Sequence, residues 1–478
     1  MWHPQLFAPI SSAFFVQKIR ICHIIAPMCS YPPSITPPPS PPPSQPPCRD
    51  ALWASSRNPD GGFDSGTENA QSYYAVRRLT CDFENAIIRL YRKRIALQIE
   101  WDDMNNNIKK MNDFYALKPN SKIMLREFCF FSLDKWTEQG YLKPWNEAED
   151  YDKYLQELFG FDEPAVHDIC NLGWCEAGFS PCFEEKVIES TDEYEIVLDF
   201  AGRHVKCFKG KRNGFMPEYI EHPVKDMNTW EKIKWRMDAK SADREWSLIN
   251  QDIPWALESI KHNKHITQRL VGGYMYLRSL MGPLELTYMF YDDPDLIHAC
   301  MKQWFELADA VISKEQELFD IDELFIGEDI CYNHGSLISP EMIKEFLFPY
   351  YQQLLTNIKK RNKDKTKGFY FQLDTDGKCE TVIDLYKELG MNYLSPFEVA
   401  SGSDVVEIAK KYPDLLMLGG IDKRILAKSK DDISAETDRI MSYMAKRGGY
   451  IPTCDHGVPE EVPFENYVHF RNLLKQYG

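Results

Sequence analysis

Five runs decide the fold: LFIGEDI at Leu324–Ile330, GFYFQLDTD at Gly368–Asp376, YLSPFEV at Tyr393–Val399, LLMLGGID at Leu415–Asp422 and YIPTCDH at Tyr450–His456. Each is a stretch of strand-forming residues that ends in an acidic or imidazole group, with a capped amphipathic helix after it. A parallel strand buried on both faces is apolar throughout, so a charge is expected only where the strand leaves the sheet. Strand onsets 22 to 44 residues apart, alternating with helices, predict a parallel α/β barrel rather than a sandwich. A (β/α)8 TIM barrel carries its chemistry at the C-terminal strand ends. Glu328, Asp329, Asp374, Asp376, Glu398, Asp422, Asp455 and His456 would then share one rim, as in an enzyme.

Upstream, HITQRLVG at His265–Gly272 reads as another strand and MLREFCFF at Met124–Phe131 as a first barrel strand. The segment Cys182–Lys209 alternates apolar and polar residues around Asp192–Glu193 and again around Gly202–Arg203, and reads as an inserted β-meander or pair of hairpins. A helical pattern covers 83–115, and a long helix over 293–319 is opened by Asp292-Asp293-Pro294. Ser339-Pro340-Glu341 is a helix start, and Pro349 is expected to kink or end that helix. The expected organisation is a disordered Pro-rich extension over 1–70, an N-terminal helical part with the first barrel elements over 71–180, and the barrel over 181–478. YPPSITPPPSPPPSQPP at Tyr31–Pro47 is low-complexity, has no core to join and favours polyproline II.

The 478 residues include 44% hydrophobic and 13% aromatic side chains, enough for a large core. Lys and Arg total 56 against 72 Asp and Glu, a formal charge of −16 that repels nucleic acid and anionic lipid alike. No apolar run reaches the roughly 20 residues of a membrane span. Thirteen cysteines without a Cys-x-x-Cys pair point to reduced thiols and a cytoplasmic location rather than a disulfide framework or zinc ribbon.

At its strand ends the chain resembles the uroporphyrinogen decarboxylase superfamily, which includes zinc methyltransferases acting on corrinoid proteins. Three places carry the resemblance: Ser336–Glu341 with Phe346-Leu347-Phe348-Pro349-Tyr350, the turn Gly419-Gly420-Ile421-Asp422, and Asp455-His456-Gly457-Val458-Pro459 with Pro463 and Glu465-Asn466. It covers about residues 84–478 and is weaker before Arg278. It implies a barrel with its site at the C-terminal strand ends, and a homodimer as a common assembly. In the methyltransferases a His-x-Cys pair and a Cys hold zinc. Here Asp374-Thr375-Asp376-Gly377 stands in place of the pair and His456 in place of the last Cys, with Cys454 two residues away. The Arg-rich loop by which the decarboxylases grip substrate carboxylates has no clear counterpart, because Arg89, Arg92, Lys93 and Arg94 fall on a helical pattern.

Asp374 and Asp376 lie two apart at a strand exit, so their carboxylates are expected to converge, and convergence requires a shared proton or a cation. With His456 they are the expected metal ligands, a set suited to one divalent Zn, Mn, Fe or Co ion. The competing assignment makes Asp374 a helix cap and Asp376 a solvated turn residue. Asp329, Glu398 and His456 are the expected catalytic acids and bases, with an ion pair to Lys423 or Arg424 as the alternative for Glu398. Arg278 is the expected cation for a substrate carboxylate. Tyr274 and Tyr332, with Trp174, would supply an aromatic wall, and Asp422 either a substrate contact or a helix cap.

The leading expectation is metal-assisted methyl or related group transfer on a small molecule, with a corrinoid protein as a conceivable partner. The alternative is uroporphyrinogen decarboxylation, which needs no cofactor; a third is a barrel retained for binding or scaffolding.

Overall fold

The computed structural model describes residues 104–209 and 217–478. The Pro-rich extension over 1–70 and the Arg89–Arg94 cluster lie outside the described residues. Seven parallel strands form one sheet: β1 (Val166–Leu172), β6 (His265–Val271), β7 (Glu323–Gly327), β10 (Tyr370–Asp374), β11 (Tyr393–Ser395), β12 (Leu416–Leu418) and β13 (Tyr450–Ile451), adjacent in that order. The five runs between Leu324 and His456 are thus neighbours in the sheet. Helices on the outer side follow each of them, including Phe348–Arg361, Glu380–Lys387, Val405–Lys411, Lys430–Arg447 and Phe464–Leu474.

The segment 124–131 takes up the gap between β13 and β1. Phe131 N–H donates to the Val458 carbonyl at 2.8 Å, Val458 N–H to that of Cys129 at 2.9 Å, and Asp162 N–H to that of Leu125 at 2.7 Å. Its side chains alternate as a strand's do. Arg126 and Phe128 face the barrel interior, while Glu127 turns outward to accept from Tyr467 Oη at 2.9 Å. It is the eighth stave, pairing with its neighbours at a few points instead of along a full ladder. The architecture is therefore the expected (β/α)8 type.

Two additions shape the barrel. Between β1 and β6 the chain inserts a four-stranded antiparallel sheet: β2 (Lys186–Ser190), β3 (Tyr194–Leu198), β4 (His204–Phe208) and β5 (Glu218–Glu221). This is the expected meander, one strand longer than Cys182–Lys209 suggested. At the N-terminal strand ends a helical run over 104–115 packs Met111, Phe114 and Tyr115 against Tyr393, Leu416 and Leu418. Tyr115 stacks on Tyr370 at 3.8 Å between centroids, so this run is the barrel's floor.

Pro349 does not end its helix. A wide π-turn over Ile343–Leu347 precedes Phe348–Arg361, so Pro349 falls in the first turn of the renewed helix, where a missing N–H costs nothing. The described cysteines are all free thiols. No described helix is long and apolar enough to cross a membrane.

Candidate active site

Strand register builds the site in rows, because directly paired residues of parallel strands face the same side. Asp168 pairs with Thr267, which pairs with Glu323. One level up come Arg269, Phe325, Gln372 and Tyr393; above them stand Val271, Gly327, Asp374 and Ser395. The two lower rows, with Arg126 of the eighth stave, enclose a cavity of about 30 Å³ in the barrel interior. That holds about two water molecules. Its polar lining is Arg126, Asp168, Thr267, Arg269, Glu323 and Gln372.

Charge inside a barrel has to be matched. Arg269 Nε stands 3.2 Å from Asp168 Oδ1, and the guanidinium lies 4.7 Å from the Trp174 ring and 4.3 Å from that of Phe325. Glu323 is fully buried, and desolvation pushes its carboxyl up to about 7; Tyr115 Oη donates to it at 2.6 Å. Asp168 raises it further, while Arg269 and Arg126 oppose the rise. The interior therefore brings two guanidiniums and two carboxyl groups together, and of the carboxyls Glu323 is the one that burial pushes up to about 7. The Thr267 hydroxyl, on a residue 1% exposed, makes no hydrogen bond among the described residues.

The residues expected at the rim lie at the upper strand ends but divide into separate pairs. His456 is fully buried, its Nε2 3.4 Å from Asp376 Oδ1 and its ring beside those of Phe128 and Phe131. Arg278 reaches Asp329 Oδ2 at 3.5 Å. Glu328 turns the other way, accepting from Tyr274 N–H at 2.9 Å and from the Tyr351 hydroxyl; burial pushes it up to about 7. Tyr274 is itself 3% exposed and belongs to the core, whereas Tyr332 is 38% exposed beside His334.

Glu398 is held at both oxygens, by Gly377 N–H at 2.8 Å and Lys423 Nζ at 3.2 Å, so the ion-pair alternative describes its surroundings. Asp455 lies 3.8 Å from the same ammonium, and desolvation pushes it up to about 6. Asp422 caps the helix Lys423–Leu426 and forks with Arg424 at 2.9 Å, which turns it away from a substrate role.

Among the described residues no group of three His, Cys, Asp or Glu side chains is placed to hold a metal ion, and Asp374, Asp376 and His456 do not converge as strand alternation suggests. Strand alternation was projected past the strand. β10 ends at Asp374; Thr375 Oγ1 then accepts from Ile330 and Cys331 N–H, each at 3.1 Å, and Gly377 turns at φ +77°. Asp374 stays in the barrel, accepting from Ser395 Oγ at 2.8 Å, while Asp376 swings to His456.

Comparison with known proteins adds one deciding observation: the family model for Uroporphyrinogen decarboxylase (URO-D) matches residues 208–477, more than half of the chain. The chain belongs to the uroporphyrinogen decarboxylase family. It is 23% identical over 277 residues to uroporphyrinogen decarboxylase of Geobacter sulfurreducens, covering 54% of this chain and 73% of that protein. Against that of Geobacter metallireducens the identity is 26% over 233 residues, 46% of this chain and 64% of the relative. Among solved structures, a methyltransferase from Methanosarcina mazei aligns over 74% of this chain and 94% of its own, at 15% identity and a TM-score of 0.45. At such identities this is a divergent URO-D-like member, in a family of enzymes.

The cavity residues Arg126, Asp168, Arg269 and Glu323 were passed over in the sequence. For Asp168 and Arg269 the signal was present: a charge in the middle of a buried strand must face the barrel axis, since the other face packs under helices.

Proposed function

We propose that the protein removes a carboxyl group from a carboxylate-bearing small molecule, with a porphyrinogen as the first candidate. The observation that supports this is the interior cavity, where Arg126 and Arg269 accompany an acid that titrates near neutrality. Guanidiniums suit a carboxylate because they can offer it paired donors. The relatives named above are uroporphyrinogen decarboxylases.

In this scheme a carboxylated arm enters from the C-terminal mouth and its carboxylate lies between Arg126 and Arg269. Cleavage of the C–C bond releases CO₂ and leaves an electron pair on carbon. Protonated Glu323 supplies the proton that completes the C–H bond, and is reprotonated from solvent. The net change is R–COO⁻ plus H⁺ to R–H plus CO₂. Burial excludes water, which strengthens the charge contacts and keeps Glu323 an acid. Because Arg278, Lys423 and Arg424 neutralise Asp329, Glu398 and Asp422, the rim repels an anionic substrate less than its acid content suggests.

The test is anaerobic incubation with uroporphyrinogen, chromatography of the products and trapping of CO₂, with and without a chelator. Stepwise carboxyl loss that the chelator leaves unchanged is expected. Intact substrate, or turnover that appears only with added divalent metal, would overturn the proposal.

A further inference from the structure

The inserted antiparallel sheet reaches the cavity through a chain of contacts. Arg203, in the turn between β3 and β4, is 4% exposed and fixed within the insertion. Its Nε donates to Asp199 Oδ2 at 2.8 Å, and its guanidinium lies 4.8 Å from the Tyr219 ring on β5. Asp199 in turn accepts from the backbone N–H of Ala201 and Arg203 at 3.0 and 2.8 Å. From this frame Arg203 Nη2 donates at 3.2 Å to Glu176 Oε1, outside the insertion.

Glu176 sits in the loop that leaves β1, two residues after Trp174. That loop is tight: Gly173 has φ +83°, and a Cβ there would meet the Glu176 carbonyl oxygen at 2.3 Å. Trp174 lies nearly parallel to Phe325, 5.1 Å between centroids and 12° apart. Both rings face the Arg269 guanidinium, leaving that side chain 14% exposed.

We propose that Arg203 is a positioning residue for the cavity: through Glu176 it holds Trp174 over Phe325, and that aromatic cover fixes the Arg269 guanidinium beside Asp168. The inserted sheet is thus an outside support for an inside cation. Glu176 is 7% exposed, and losing its partner would leave a buried carboxylate uncompensated, which the loop relieves by opening toward water. The inference deepens the reading of Arg269 as a carboxylate holder and rests on it for its functional meaning, but the geometry can be tested without turnover.

Full-length protein is treated with phenylglyoxal, which adds to guanidiniums, and the Arg269 peptide is followed by mass spectrometry. In Arg203→Met, Arg269 is expected to react roughly tenfold faster than in the wild type once the loop opens. Arg424, 58% exposed, serves as the control and keeps its rate. Arg203→Lys retains the charge and restores most of the protection. Trp174→Leu gives the same rise as Arg203→Met, and combining the two adds nothing, because both act on one cover. Arg203→Gln, which also removes the guanidinium charge from Glu176, behaves as Arg203→Met does and is read alone if Arg203→Met does not fold. A wild-type Arg269 rate in a folded Arg203→Met or Arg203→Gln protein overturns the proposal, as does an additive rise in the double variant. Failure of uroporphyrinogen turnover would overturn the proposed reaction and leave this result standing.

Discussion

Tyr115 donates its hydroxyl hydrogen to Glu323 across 2.6 Å, joining the floor helix to the first residue of β7. The contact makes the cavity acid part of the barrel's foundation, so its protonation is linked to folding as well as to chemistry.

Burial raises the Glu323 pKa from its ordinary value of 4.5 to about 7. Between those values the folded protein keeps a proton that the unfolded chain releases. Stability from this group is therefore complete at the acid side and is lost as pH rises through about 7. Glu323→Gln removes the dependence. Its unfolding free energy relative to the wild type should rise by roughly 2–3 kcal/mol between pH 5 and 8, measured by urea titration. A constant difference across that range would contradict the assignment.

Arg126→Leu and Arg269→Leu should each raise KM for uroporphyrinogen, by about 30- to 150-fold if each loses a charge-assisted contact of roughly 2–3 kcal/mol. Arg269→Lys should recover only part, since an ammonium cannot offer paired planar donors or stack as well on Trp174 and Phe325. Steady-state kinetics checks both; wild-type KM in either Leu variant would remove that guanidinium from the site.

Glu328 accepts from the Tyr274 N–H and the Tyr351 hydroxyl, both buried. Glu328→Ala strands both donors and should cost about 3 kcal/mol of stability. Glu328→Gln keeps one acceptor oxygen and should cost about half of that. The expected order is wild type above Gln above Ala in urea midpoint, and equal midpoints for all three would refute the structural role.

Equilibrium dialysis against Zn²⁺ or Mn²⁺ should give no stoichiometric uptake that depends on Asp374, Asp376 and His456. Wild type and Asp376→Ala should behave alike. One tightly held ion per chain, lost in Asp376→Ala, would restore the metal reading.

The frame was legible because parallel strands announce themselves. Leu324, Phe325 and Ile326 are apolar on both faces, and so are Leu416, Met417 and Leu418; Asp293 and Ser339 cap helices as their positions suggest. β1 was missed since His167, Asp168 and Asn171 interrupt any apolar run. The interior cavity was hidden for a related reason. Assuming that charge belongs only at strand exits directs attention to the rim, yet Asp168, Arg269 and Glu323 sit within strands facing a polar interior. Pairing Asp374 with Asp376 by alternation failed where the strand stopped. Which rim acids are spent on neighbours, as Asp422 is on Arg424, depends on side-chain reach across separate segments, and spacing along one chain does not reveal it.

The most direct test of the central claim is the rate of CO₂ release from uroporphyrinogen at pH 6 to 8 by the wild type and by Glu323→Gln. The account predicts release by the wild type that declines as Glu323 ionises above about pH 7, and a loss of roughly 100-fold or more in a folded Glu323→Gln protein. Release by that variant at the wild-type rate, or none by the wild type, would contradict it.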